Sequence, residues 1–345
     1  MNKILPTIKY EQLVSKAVER ISNQRAREII RQRFGLEDGQ RKTLEAIGQK
    51  YGITRERVRQ VEEAAFSVLR KNNLYDFFQP ALRPINDFFD QSGQAVIEEK
   101  LLSFLANAKH PHPGRGAVFF ILTVLSPYER FAETDRFYPF WTNSKNVWPK
   151  AQEMIKALIK DLEREGKVVS GDYLLDIGRK KISGLSEQAL FSYLDITKEI
   201  SQNCFGQFGL SAWPEINPRG VKDKAFLVFK KENRPLHFRA AADLINQYNF
   251  GSRLAHPQTV HNELIKDPRF VLVGRGIYAL TDWGYQPGTI LELIKGALKE
   301  NGPLAKDEIL KGVLKHRLVK ENTVLINLQN RKWFVRDEEG RYSLK

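Results

Sequence analysis

Residues 43–69 read TLEAIGQKYGITRERVRQVEEAAFSVL, and this stretch decides the N-terminal fold. Two helices that cross closely need a small residue in the first, and Gly48 stands there. Four positions on, Gly52 supplies a turn residue that tolerates positive φ. Val58 supplies an apolar anchor for the second helix, and Thr54 an oxygen to cap its start. The spacing predicts a helix-turn-helix whose second helix buries Val58, Val61, Ala65 and Val68. Arg55, Glu56, Arg59 and Gln60 then point the other way, near the N-terminal end, with Arg57 beside them. Their chemistry suits the major groove of a duplex: arginine to guanine, glutamine to adenine, glutamate to the cytosine amino group. An ordinary helical hairpin with a solvated charged face is the plainer alternative.

Outward from this stretch, residues 11–75 read as helices broken by short turns, within a first domain at 1–78. Residues 79–93, with Pro80 and Pro84, read as a linker. Residues 94–185 open with helical patterns at 95–107, 116–125 and 147–165. Two β-rich pieces follow, Lys167–Ser170 and Tyr173–Ile177, around a Gly171-Asp172 turn. Helices followed by a hairpin describe a winged-helix-like module. Residues 186–220 read as a helix and then an ordered linker rich in glycine, proline and aromatics. The last third repeats itself at an offset of 64: Thr259 meets Thr323, Val260 meets Val324, Leu264 meets Leu328 and Phe270 meets Phe334. Val271 meets Val335, Gly276 meets Gly340, Tyr278 meets Tyr342 and Leu280 meets Leu344. Each copy, 221–284 and 285–345, reads helix, helix, glycine-bearing hairpin. The expected fold is mainly α: an N-terminal helix-turn-helix bundle followed by three winged-helix-like α+β modules.

The chain has 345 residues, 42% hydrophobic and 28% charged, with a mean hydropathy of −0.43. That suits several modest cores and a soluble protein, and no run approaches the ~18 apolar residues of a membrane helix. The single cysteine, Cys204, excludes an intramolecular disulfide framework and a cysteine-based zinc site, and points to reducing cytoplasm. Fifty-five basic against 41 acidic side chains give a net charge of +14. Residues 1–78 hold 16 basic and 10 acidic groups, residues 79–220 hold 17 and 17, and residues 221–345 hold 22 and 14. The two ends therefore suit a polyanion such as nucleic acid, and the neutral middle suits another task.

The run ISNQRAREIIRQRFGLEDGQRKTLEAIGQKYGITRERVRQVEEAAFSVLRK resembles region 4 of bacterial RNA polymerase sigma factors over about residues 11–75. RFGL, TLEAIG and TRERVRQVE carry the likeness. That module reads the −35 promoter element and docks on the polymerase flap. The resemblance implies Arg55, Glu56, Arg59 and Gln60 as contacts to bases or adjacent phosphates, and Arg33 and Thr54 as backbone contacts. The rest of the chain shows nothing like the aromatic-rich module that melts the −10 element, so initiation with core polymerase alone is not expected. A second resemblance covers about 221–284. RPLHFRAAADLI and HPQTVHNELIKDPRFVLVGRGIYALTDWGY look like the HARE-type winged helix, which also occurs in the delta subunit of bacterial RNA polymerase and in restriction-associated proteins. It implies DNA or polymerase contact without catalysis. Gln258, Thr259, His261 and Asn262 would lie on its recognition helix and Arg275 at its wing tip. Asn322, Thr323, Arg331, Lys332 and Arg341 are the analogous candidates in the last module. Protein contact is the other use of such a fold.

Three features tempt an enzymatic reading. Asp87, Glu98 and Lys100 faintly follow a metal-nuclease pattern, but they fall on an expected linker and helix instead of a hairpin. His110 and His112 sit in a proline loop with no third ligand nearby. Gly274 and Gly276 belong to a strand-turn-strand, not a nucleotide loop. Trp141, Trp148, Tyr138 and Phe140 are expected in a core or facing a partner. The expectation is a cytoplasmic, nucleoid-associated, sequence-specific DNA-binding transcription protein. It would be non-catalytic, need no cofactor or metal, and have duplex DNA and RNA polymerase core as partners, with neither a membrane nor a small-molecule substrate. The alternatives are a polymerase scaffold that binds mainly protein, and a restriction or modification component.

Overall fold

Local capping rules set the first helices of the computed structural model, which describes residues 8–71, 73–251 and 253–345. Residues 1–7, the start of the expected first domain, lie outside them. The first helix, α1, spans Tyr10–Val18, and α2 spans Gln24–Phe34. Asn23 caps α2 by accepting from the Ala26 amide, and Gly35 ends it in the left-handed region. Then come α3 (Leu44–Tyr51) and α4 (Arg55–Lys71).

Beyond α4 one element order recurs. The first module has α5 (Leu74–Ser92), β1 (Ala95–Ile97), α6 (Glu98–Ala106), α7 (Pro113–Val124), β2 (Glu129–Phe131) and β3 (Phe140–Thr142). Its antiparallel sheet runs β1-β3-β2, so the last strand is central. The second has α8 (Val147–Glu165), α9 (Gly171–Lys181), α10 (Glu187–Ile196), β4 (Ile200–Gln202) and β5 (Phe208–Leu210). Val169 bridges Phe208 there, again leaving the last strand central. The third has α11 (Val221–Glu232), β6 (Leu236–His237), α12 (Phe238–Gln247), α13 (Pro257–Lys266), β7 (Phe270–Gly274) and β8 (Ile277–Leu280), in sheet order β6-β8-β7. The fourth has α14 (Ile290–Asn301), α15 (Lys306–His316), α16 (Glu321–Leu328), β9 (Phe334–Arg336) and β10 (Tyr342–Leu344), with Leu304 bridging Tyr342. The protein is mainly helical with small antiparallel sheets, and the two hairpins expected at the C-terminal end are present.

The middle of the chain departs from its reading. Residues 79–93 are not a linker but most of α5. Leu74, Phe78, Ala81, Leu82, Ile85, Phe88 and Phe89 form one buried stripe. Their burial, about 1.5–3 kcal/mol for each large side chain, outweighs the ~3 kcal/mol that an interior proline costs. Tyr173–Ile177 is not a strand either. The Ser170 hydroxyl accepts from the Tyr173 amide and starts a helix there. The hairpin of that module lies in the expected linker, as β4 and β5. The order of helices and strands therefore occurs four times, and the boundaries at 94–185 and 186–220 give way to modules at 74–142 and 147–210.

The chain divides into two compact units, one of residues 1–202 with 206–211 and one of residues 203–205 with 212–345. In the first, the boundary expected at residue 78 is not a structural one. A single core runs from Tyr10 to Trp141, joining α1, α2 and α4 to α5 and α7. The third helix of the first module, α7, is buried from Gly114 to Val124 except at Thr123. Phe120 meets Phe34 edge-on at 5.1 Å and Phe66 at 6.0 Å. A Cβ on Gly116 would lie 2.2 Å from the Phe34 carbonyl oxygen, so α7 approaches α2 as only glycine allows. The third helix of the second module is also turned inward. It packs on β1 and α5, with Leu190, Tyr193, Leu194 and Ile196 buried.

Charge pins the same joint. Glu98, 5% exposed, accepts from Arg41 Nη2 at 2.9 Å, Arg130 Nε at 2.6 Å and Trp141 Nε1 at 3.1 Å. Burial alone would raise its carboxyl, but Arg130 and Arg41 outweigh it and hold the group below its ordinary value of 4.5. Its stabilisation is therefore full above pH 4.5 and is lost as pH falls through the lower folded value. Glu98→Gln is expected to cost about 3–5 kcal/mol at pH 7 and to flatten the acid limb of stability below pH 4.5. Denaturant midpoints measured from pH 3 to 7 check this. An unchanged acid limb would assign the acid sensitivity elsewhere.

Trp141 and Phe140 are core residues, and Trp148 packs on Phe131, Phe137 and Phe140. Tyr138 is exposed, with Lys198 Nζ 5.2 Å from its ring centre. Asp87 faces Arg83, Glu98 faces Arg41 and Arg130, and Lys100 faces Asp195, so the three have separate partners. His112 caps α7 through the Gly114 amide. No helix among the described residues is long and apolar enough to cross a membrane.

Candidate nucleic-acid interface

The helix-turn-helix is built as its glycines demand. A Cβ on Gly48 would lie 2.6 Å from the Ile53 carbonyl oxygen, and Gly52 ends α3 at φ +63°. Thr43 caps α3 by accepting from the Ala46 amide, and Thr54 caps α4 by accepting from the Arg57 amide at 3.2 Å. Ile29, Ile47 and Val58 form a small core of their own under the turn. In α4 the buried residues are Val58, Ala65, Phe66 and Leu69. Val61 is half-buried and Val68 is 42% exposed, which corrects its place in the stripe. Ten residues beyond Val58, at 3.6 per turn, Val68 lies about a quarter turn off the buried direction.

Arg55, Glu56, Arg57, Arg59 and Gln60, in the first two turns of α4, are all exposed, with Glu56 and Gln60 opposite the buried stripe. They are not idle there. Arg57 Nη1 donates to Gln60 Oε1 at 3.1 Å. Arg59 donates to both Glu56 oxygens through Nε and Nη2, at 2.8–3.2 Å, and to Glu63 through Nη1 at 2.8 Å. Arg59 holds the Glu56 carboxyl below its usual range, and the two carboxylates push the guanidinium up. Glu63 was not among the sequence candidates, although its spacing four residues after Arg59 is the signal for such a pair. Arg33 is half-buried. Its Nη1 donates to the Lys42 carbonyl and its Nε lies 3.6 Å from Glu62, so it also has partners within its own module.

In the other unit, Gln258, Thr259 and Asn262 are exposed on α13, with Gln258 donating to Asn262 at 3.3 Å. His261 is half-buried, stacked on Phe238 at 4.5 Å and edge-on to Tyr278, so it serves the core. Arg275 is exposed at the β7–β8 turn. In the fourth module Asn322, Thr323, Arg331 and Lys332 are exposed. Arg341 is exposed too, but its turn carries Asp337, Glu338 and Glu339, with Glu339 3.7 Å away. The five helix-turn-helix candidates are thus gathered in the first two turns of α4, while the winged candidates belong to a separate unit.

A family model described as Sigma-70, region 4 matches residues 23–71, the segment from the α2 cap through α4. Similar proteins include an RNA polymerase sigma factor (sigB) of Arabidopsis thaliana, 47% identical over 58 residues, 17% of this chain and 10% of that protein. Another is RNA polymerase sigma factor SigA1 of Synechococcus elongatus, 46% identical over 59 residues, 17% of this chain and 15% of that protein. A Nostoc sigma factor SigA is 53% identical over 49 residues, 14% of this chain and 13% of that protein. The chain thus spans about a tenth to a seventh of the length of these relatives, and the likeness lies at its helix-turn-helix end.

Proposed function

We propose that this is a sequence-specific duplex-DNA-binding transcription protein that acts with RNA polymerase and performs no catalysis. One observation carries the reading: the first two turns of α4, which expose Arg55, Glu56, Arg57, Arg59 and Gln60 on a capped helix at a glycine turn, in the segment that matches sigma region 4. Those groups supply base-edge donors and acceptors, and the N-terminal end of such a helix is what enters a major groove. The buried third helix of the first module cannot enter a groove, and that of the second packs on β1 and α5, so these modules hold the reading head. We read the four modules as winged helices, the third as a HARE-type one. Its exposed α13 and Arg275 suit added duplex contact. The fourth favours a protein partner, because its acidic turn opposes phosphate and Ile326 (67%) and Val335 (46%) are exposed. The protein would work in the cytoplasm on the nucleoid.

Selection of duplexes from a random pool, followed by binding titrations, tests the reading. Gln60→Ala is expected to cost about 1–3 kcal/mol on the selected duplex and to relax preference at one base pair. If Arg59→Ala and Gln60→Ala both footprint like wild type, α4 is not the reader. Pull-down of core polymerase by the tagged protein tests the partner.

A further inference from the structure

Arg59 in the free protein is held by two carboxylates, and the arrangement is more than an exposed ion pair. Glu56, Arg59 and Glu63 stand at i, i+3 and i+7 on the outward face of α4. The guanidinium directs three hydrogen bonds to Glu56 and one to Glu63, so its donors are largely committed. The triad carries a net charge of −1 at the place where a duplex would approach. A phosphate that draws Arg59 away leaves both carboxylates facing the polyanion with no partner. A groove that offers Glu56 an amino donor, such as cytosine N4, satisfies one of them and releases the arginine.

We infer that Glu63 is a specificity-determining residue: it competes with phosphate for Arg59, so that the arginine is released only on duplexes that also engage Glu56. The inference rests on the DNA-binding reading of α4. Glu63 need not touch DNA to act; it sets the cost of using Arg59 on the wrong sequence. Discrimination of this kind comes from penalising the competitor as much as from favouring the target.

The test is a salt titration of the full chain on the selected duplex and on a scrambled one of equal length. All three side chains of the triad are exposed, so Glu63→Gln leaves the core untouched. The variant is expected to steepen the scrambled-duplex slope of log K against log salt by about 0.9, one further phosphate. That corresponds to roughly five- to tenfold tighter scrambled-duplex binding at 0.1 M salt. The selected duplex gains less, so the specificity ratio falls. Glu19→Gln, which removes an exposed carboxylate at the end of α1, outside the helix-turn-helix, leaves slope and ratio as in wild type. A wild-type slope for Glu63→Gln, or an equal change for Glu19→Gln, overturns the inference while the DNA-binding reading stands. Wild-type protein that shows no salt-sensitive duplex binding overturns both.

Discussion

A protein lacking residues 1–78 is expected to lose the fold of its first three-helix module altogether. The deletion removes Tyr10, Val14, Ile30, Phe34, Phe66, Leu69, Leu74 and Phe78 from one continuous core. Each large side chain covers apolar surface worth about 1.5–3 kcal/mol, and the faces left bare on α5 and α7 are comparable. The sum exceeds the ~5–15 kcal/mol that holds a domain folded. Residues 79–211 alone should therefore give no cooperative thermal transition and should expose Phe119 and Phe120, whereas residues 1–211 should melt as one unit. Calorimetry of the two fragments decides it. A sharp transition from 79–211 would show that the shared core is dispensable.

Gly116→Ala is the second large effect. The added methyl would lie 2.2 Å from the Phe34 carbonyl oxygen and 2.8 Å from that of Gly35, both backbone atoms. Neither can rotate aside, so α7 must back away from α2. Overpacking of this kind costs about 3 kcal/mol at the upper end of its range. For a unit of this size that is a fall of roughly 6–12 °C in melting temperature. The loss should appear in the melting of the full chain, and a matched Gly312→Ala, open on all sides, should not reproduce it. Equal melting temperatures for the two variants would refute the close approach.

The helix-turn-helix was legible because its signals are local. Gly48, Gly52, Val58 and Thr54 each answer to a neighbour within a few residues, and all four act as their spacing indicates. The C-terminal hairpins were legible for the same reason, since alternation and a turn glycine lie within one short segment. Residues 79–93 were misread because Pro80 and Pro84 are strong local punctuation, while the stripe from Leu74 to Phe89 has its partners far along the chain. The hairpin read around Gly171 failed because Ser170, Gly171 and Asp172 suit a turn and a helix start equally. Burial of Leu174 and Leu175 chose the helix. At the interface, the five exposed residues of α4 were visible from periodicity. The hold of Glu63 on Arg59 depends on rotamers, which spacing suggests without fixing. The inward turn of α7 was hidden entirely, since a third helix that reads DNA and one that packs inward share one element order.

The core that joins Tyr10 to Trp141 also imposes a sequence of events at synthesis. The last residue that α4 gives to this core, Leu69, leaves the ribosome 72 residues before Trp141. At roughly 5–20 residues per second that interval is about 4–14 s. Phe120 follows Leu69 by 51 residues, so for about the first 3–10 s of it Phe34 and Phe66 await the α7 phenylalanines that cover them. The small core of Ile29, Ile47 and Val58 needs nothing beyond Val61 and can close first. The nascent chain therefore holds a formed turn on an unfinished base, with an apolar face open to chaperones, until the first module is complete.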